Sequence, residues 1–139
     1  MITIVMVGKH KEYPQFEDYA KKCEKLSLLD VKEEKANNPE IVMKKEGKRL
    51  LEKAKGFTVA LSEDGVPLTS QMLAELLARN PQITFLVGGA FGIAQEVKDE
   101  SNLIFSLSRL TFPHELAHLV LIEQIYRAQK INEGHPYHK

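Results

Sequence analysis

Apolar residues recur along the chain with two alternating periods, which predict strands and helices in turn. Ile2, Thr3, Ile4, Val5, Met6 and Val7 form a β-branched apolar run closed by Gly8, the pattern of a buried strand. After Pro14, Phe16, Tyr19, Ala20 and Cys23 fall at i, i+3, i+4 and i+7, one stripe of a helix ending near Lys25. Residues 26–31 are a weaker strand. Asn38 and Pro39 supply the cap and first position of a second helix, with Met43, Gly47, Leu50, Leu51 and Ala54 as its buried stripe up to Gly56. Residues 57–61 read as a strand and 62–65 (Ser-Glu-Asp-Gly) as a polar turn. Ser70 is placed to cap a helix carrying Met72, Leu73, Leu76 and Leu77 inward. Residues 83–87 form the strongest strand signal and run into Gly88, Gly89, Ala90, Phe91 and Gly92. A short helix at about 94–100, a strand at 102–107 and a long helix at about 114–133 complete the series. Strands alternating with helices imply βαβ units, and so an α/β fold with a mainly parallel sheet, with residues 1–139 as one domain.

Composition narrows the class. The chain has 139 residues, 43% hydrophobic and 27% charged, as in an ordinary globular domain. Lys plus Arg and Asp plus Glu are both 19, which excludes the basic excess of a generic nucleic-acid coat protein. No apolar run approaches the roughly 20 residues a bilayer span needs, so no membrane partner is expected. The start shows no basic flank or cleavage site, so a cytoplasmic protein is expected. One cysteine, Cys23, excludes an internal disulfide and a cysteine-based zinc cage. The zero total covers an asymmetry. Residues 1–56 hold 13 basic against 10 acidic side chains, residues 57–139 hold 6 against 9, and four of the five histidines lie from His114 onward. That division is either chance or a mildly basic half facing a polyanion beside a half that does chemistry.

Ligands of open parallel sheets bind beyond the carboxyl ends of strands. Three such ends are chemically marked: Leu61 with residues 62–65, the turn 88–92, and residues 107–112. The glycine turn lacks the dinucleotide fingerprint and the P-loop lysine. It is either a tight βα connection or a place where missing Cβ atoms bring a ligand against the backbone. His114, Glu115 and His118 spell H-E-x-x-H, yet Pro113 puts His114 in the first helical turn rather than mid-helix, so no metal is expected and capping or surface roles are assigned to these histidines. The last helix carries Leu116, Leu119, Val120, Ile122, Ile125, Tyr126 and Ile131 on more than one face. That surplus implies a partner helix, or deep burial within one protomer. Glu123 and Arg127 are spaced for an i, i+4 ion pair.

Several motifs, in order, resemble one family. They are Val5, Val7, Gly8 and Lys9 at the start; Lys45, Glu46, Gly47 and Arg49; Val87, Gly88 and Gly89; the run from Ser106 to His114; Leu121 to Ala128; and Gly134 to Lys139. The family is the RlmH type of the SPOUT class, the large-subunit ribosomal RNA pseudouridine N3-methyltransferases. The resemblance implies an α/β fold with a carboxyl-terminal trefoil knot, a homodimer, and S-adenosylmethionine as cofactor. By match of motif, the cofactor contacts are Leu61, Gly88, Leu107, Ser108, Arg109, Leu110, Thr111 and Phe112. Arg127, Tyr137 and His138 match the substrate side, completed across the dimer, with His138 as candidate base. The partner RNA is the assembled large ribosomal subunit, which suits a chain of zero net charge.

This sequence departs from the family pattern at two places. His118 stands where the pattern has an arginine four residues after the histidine of Pro113-His114, and residues 26–38 are shorter. Arginine is always charged and bidentate, whereas histidine is neither at neutral pH. Other readings of the chain are methyl transfer to tRNA or to another ribosomal nucleotide, and a catalytically silent cofactor-binding module.

Overall fold

The computed structural model describes residues 1–8 and 13–139; Lys9 of the amino-terminal motif, with His10, lies outside the described residues. Five parallel strands form one sheet in the order β2-β1-β4-β3-β5, where β1 is Ile2–Val7, β2 Leu26–Val31, β3 Phe57–Pro67, β4 Ile83–Val87 and β5 Leu103–Ser106. Between them run α1 (Pro14–Lys22), α2 (Pro39–Lys53), α3 (Ser70–Arg79) and α4 (Gln95–Glu100), and α5 (His114–Glu133) follows the last strand. β4 is buried at every position, as befits an inner strand covered on both faces.

The pleat of β1 divides the core. Ile2, Ile4 and Met6 point to one face, where they meet Phe16 of α1, Leu73 and Leu77 of α3, and Leu121, Ile122 and Ile125 of α5. Val5 and Val7 point to the other, where Leu50 of α2 and Val97 of α4 cover them. Helix α5 packs against both α1 and α3. Polar stitches hold it there: Ser70 Oγ donates to Gln124 Oε1 at 2.7 Å, and Asn132 Nδ2 donates to the Ala74 carbonyl at 3.0 Å.

Those contacts account for much of the apolar surplus on the last helix. Leu121, Ile122, Ile125 and Ala128 are fully buried within the protomer, and Leu119 packs against the same cluster. Ile122→Glu is therefore expected to damage the protomer rather than an interface, because it places an unpaired charge in the core. Thermal unfolding should show a loss of about 3 kcal/mol or more, and an unchanged Tm would remove Ile122 from the core.

The structure alters several sequence expectations. Thr69, not Ser70, caps α3: its hydroxyl accepts from Met72 N at 3.1 Å, leaving the Ser70 hydroxyl to reach α5. Met72 is 46% exposed, and the inward stripe is Leu73, Ala74 and Leu77. In α2 the buried set is Val42, Glu46, Gly47 and Leu50, so the expected stripe keeps Gly47 and Leu50 and a carboxylate outside it is buried. Glu46 Oε2 accepts from Glu34 N at 3.0 Å, and burial raises its pKa.

The polar turn expected at 62–65 is a bulge inside β3. Leu61 and Val66 both pair with Phe105, so the four residues between them leave the ladder and rejoin it. A Cβ on Gly65 would stand 2.6 Å from the Ile104 carbonyl group, so only glycine lets the bulge close on β5.

Candidate active site

A cavity of about 650 Å³ opens beyond the carboxyl ends of β3, β4 and β5, within the range of small-molecule sites. All three chemically marked strand ends reach it. Leu61 and the 62–64 bulge form one wall, residues 88–92 a second, and residues 107–112 a third, with His114 and Ala117 of α5 closing the base. Of the residues matched to cofactor contacts, Leu61, Gly88, Leu107, Ser108, Leu110, Thr111 and Phe112 line the cavity. Arg109 is exposed and outside the lining, because the loop turns its side chain to solvent.

Local hydrogen bonds shape each wall. Gly92 N donates to Gly89 O at 3.0 Å, closing the 88–92 turn, and Gly92 takes φ +84°. Ser106 Oγ donates to the Ser108 carbonyl at 2.9 Å, while Ser108 Oγ accepts from Leu110 N at 3.0 Å. Two serines thus fold the third wall upon itself.

The missing side chain at Gly88 lets the turn close. Its Cβ would lie 2.5 Å from the Gly92 carbonyl oxygen and 3.1 Å from Ile93 N, inside the protein. Gly88→Val is expected to spread the turn at a cost of about 1–3 kcal/mol, lowering Tm by several degrees together with cofactor binding. Calorimetry giving an unchanged Tm with binding lost would instead put the missing Cβ against the ligand.

Charges in the bulge decide what the cavity suits. Asp64 is answered: Ser62 Oγ donates to Asp64 Oδ1, and Lys98 Nζ lies 3.0 Å from Asp64 Oδ2. The Ser62 hydroxyl and then Lys98 hold its pKa below the usual carboxylate range. Glu63 receives only a neutral donor, the Thr111 hydroxyl at 3.1 Å, and no cation pairs with it among the described residues. The cavity therefore carries one exposed carboxylate without a counter-charge beside its apolar lining, a surrounding suited to a partly apolar, cationic ligand.

The substrate-side candidates sit elsewhere in the protomer. Gly134, at φ +75°, ends α5, and the tail folds back along the helix. Tyr137 Oη donates to Glu123 Oε1 at 3.1 Å, and its ring packs edge-on against Tyr126 at 4.8 Å. Burial, with Tyr19 and Glu123 nearby, raises the pKa of Tyr137. Arg127 lies over the Tyr137 ring at 4.9 Å and forms the expected pair with Glu123, with Nη2 at 2.7 Å from Oε1. His138 places Nδ1 3.1 Å from Arg127 Nη1 and Nε2 3.0 Å from Gln71 Nε2. Arg127 is thirteen residues beyond His114 along α5, about 20 Å at 1.5 Å per residue. Within one protomer, Arg127, Tyr137 and His138 form one cluster and the cavity is another.

Histidines 114 and 118 differ from their expected roles. His118 is buried at 1% exposure rather than on the surface, because it extends the inward stripe of Leu121, Ile122 and Ile125. His114 lines the cavity, stands edge-on to His118 at 5.7 Å, and places Nε2 2.9 Å from Glu115 Oε1. Among the described residues no group of three His, Cys, Asp or Glu side chains is arranged to hold a metal ion. No helix among them is long and apolar enough to cross a membrane.

Comparison with known proteins adds an independent observation. The family described as "Predicted SPOUT methyltransferase" matches residues 1–138. A protein of Clostridioides difficile (strain 630) named ribosomal RNA large subunit methyltransferase H is 39% identical, with 99% of each chain covered. The protein of that name from Acholeplasma laidlawii is also 39% identical, again over 99% of each chain. The one from Syntrophotalea carbinolica is 42% identical over 80% of this chain and 77% of its own.

Proposed function

This chain belongs to the SPOUT methyltransferase family, and on that premise we propose that it methylates N3 of a pseudouridine in large-subunit ribosomal RNA, with S-adenosylmethionine as cofactor. The observation that carries the reading is the cavity shared by three strand ends, with Glu63 as its unanswered carboxylate. Bound there, S-adenosylmethionine would supply a methyl group on a positively charged sulfur. Leu61, Leu107 and Phe112 offer apolar surface for its heterocycle, the backbone of 88–92 and 107–112 offers polar edges, and Glu63 offers the compensating charge.

The protein's own task is then to hold the base nitrogen in line with the methyl group and to take its proton. Alignment alone contributes several kcal/mol to such reactions. His138 is the proposed base, with Arg127 and Tyr137 orienting the RNA. Because Arg127 stands ten residues along α5 from Ala117 of the cavity lining, about 15 Å, the proposal takes the protein as a homodimer in which one copy's tail serves the other copy's cavity. The half-exposed Leu116, Val120 and Tyr126 of α5 give that dimer an apolar contact face. The trefoil path of the SPOUT fold and a cytoplasmic location beside the ribosome belong to the same proposal.

Mass-spectrometric mapping of large-subunit RNA from a deletion strain tests the reaction. One missing methylated pseudouridine, restored by this chain, is the expected result. A lesion in tRNA or at another ribosomal nucleotide would redirect the assignment, and cofactor binding with no lesion would favour the silent module. Sedimentation giving a monomer at micromolar concentration would overturn the shared site.

A further inference from the structure

The tip of the 88–92 turn carries a ring that the roles assigned so far do not use. Ala90 and Phe91 occupy the central positions of the turn closed by Gly92 N and Gly89 O at 3.0 Å. That backbone carries the Phe91 ring outward to 53% exposure, while Phe16, Phe85 and Phe105 are buried at 3% or less. Phe91 is the one exposed Phe or Tyr among the described residues. An exposed phenylalanine forgoes most of its burial free energy, so its placement at a cavity mouth is informative.

A second apolar side chain faces the same opening. Leu110, at the tip of the 107–112 loop, is 71% exposed, and its backbone is pinned by Ser108 Oγ at 3.0 Å. Both residues line the cavity, one from each of two internally closed loops. The opening therefore has two solvent-facing apolar lips above walls that carry the polar groups.

A flat heterocycle is the occupant this arrangement fits. A base presented for chemistry must leave its stack, and proteins receive it between aromatic and apolar side chains. With a net charge of zero, the chain lacks the general phosphate-neutralising surface that would otherwise supply RNA affinity. Stacking is a source of affinity that needs no such surface.

We infer that Phe91, with Leu110 opposite, stacks on the RNA base that receives the methyl group. The inference rests on the proposed methylation of ribosomal RNA. Phe91→Ala is expected to lower kcat/KM for large ribosomal subunits about 10–100-fold, with cofactor affinity and sedimentation unchanged. Phe91→Trp should stay within a few-fold of the unchanged protein. A wild-type rate for Phe91→Ala would overturn the inference. So would a matching loss of cofactor affinity, which would give the ring to the adenine, or a loss of dimer, which would give it to a second copy.

If the unchanged protein fails to methylate large subunits, the proposed function falls, and a binding measurement decides the inference separately. The chain has no tryptophan, so Phe91→Trp introduces a single fluorophore at the lip. Quenching of its emission by oligouridylate is expected. No quenching by the oligonucleotide, or equal quenching by S-adenosylmethionine alone, would overturn the assignment.

Discussion

His138→Ala should lower methylation of large subunits by about 10²–10⁴-fold while leaving S-adenosylmethionine affinity unchanged, the range associated with losing a positioned proton acceptor. Two histidines compete for this role. His114 lines the cavity of its own protomer, with Glu115 at 2.9 Å, whereas His138 is held near Arg127 and Gln71, and in the proposed dimer its tail serves the other copy's cavity. Rates for His114→Ala and His138→Ala separate them, since the base gives the larger fall in kcat. A mixed dimer gives the sharper reading. One copy with His138→Ala, paired with a copy whose cavity is disabled, keeps one intact cavity served by the other copy's intact tail if tails act across the dimer, so half the activity survives. If each tail acts in its own copy, both copies are disabled. Placing both lesions in one copy reverses the outcomes: acting across the dimer, the lone intact cavity faces a defective tail and activity is lost, whereas tails acting within one copy leave half the activity. Deleting residues 136–139 should reproduce the loss and also lower Tm, because Tyr137 is bonded to Glu123, stacked under Arg127 and packed on Tyr126. Each kcal/mol lost there is worth roughly 4 °C. A truncated dimer that methylates normally would remove Tyr137 and His138 from the site.

Much of the fold was legible in the chain because its inner strands are buried on both faces. β1 and β4 run where continuous apolar stretches put them, and α5 spans the 114–133 that its pattern predicts. The extension of β3 was not legible. Ser62, Glu63, Asp64 and Gly65 have turn chemistry, and only the return of Val66 to Phe105 shows that the strand resumes. Glu46 escaped notice because a glutamate at a helix position is ordinarily solvated. The burial of His118 did have a signal, since positions 118, 121, 122 and 125 fall on one helical face.

The site was legible to a similar degree, and for a different reason. The three strand ends follow from the rule for parallel sheets, and the structure brings all three to one cavity. What a linear pattern does not contain is how side chains across walls answer one another: Lys98 neutralises Asp64 and leaves Glu63 with a hydroxyl. Nor does spacing place the tail, whose position on α5 depends on Tyr137 finding Glu123, Arg127 and Tyr126 at once.

That division of charge leads to the second large effect. Glu63→Gln keeps the shape of the wall and an acceptor for the Thr111 hydroxyl, but removes the carboxylate charge. Two unit charges about 4 Å apart interact by roughly 1 kcal/mol in water and roughly 4 kcal/mol at an effective dielectric of 20, and the exposed Glu63 falls between these limits. A loss of about 10–100-fold in S-adenosylmethionine affinity is expected by calorimetry. S-adenosylhomocysteine gives the decisive comparison, since it lacks the sulfonium charge but keeps the amino group. If Glu63 answers the sulfonium, the substitution should cost the charged cofactor more than the neutral thioether and narrow the difference between their affinities. Equal losses would assign Glu63 to the amino group, and unchanged affinity for both would take Glu63 out of the cofactor site. Asp64→Asn is the matching control. Its carboxylate already faces Lys98, so removing it leaves a lysine without its counter-charge on the cavity wall. A cationic ligand should then be repelled, and affinity should fall through the opposite cause. High salt should relieve the Asp64→Asn loss by screening the lysine left without a partner, and should do less for Glu63→Gln, where the charge that attracted the ligand is gone.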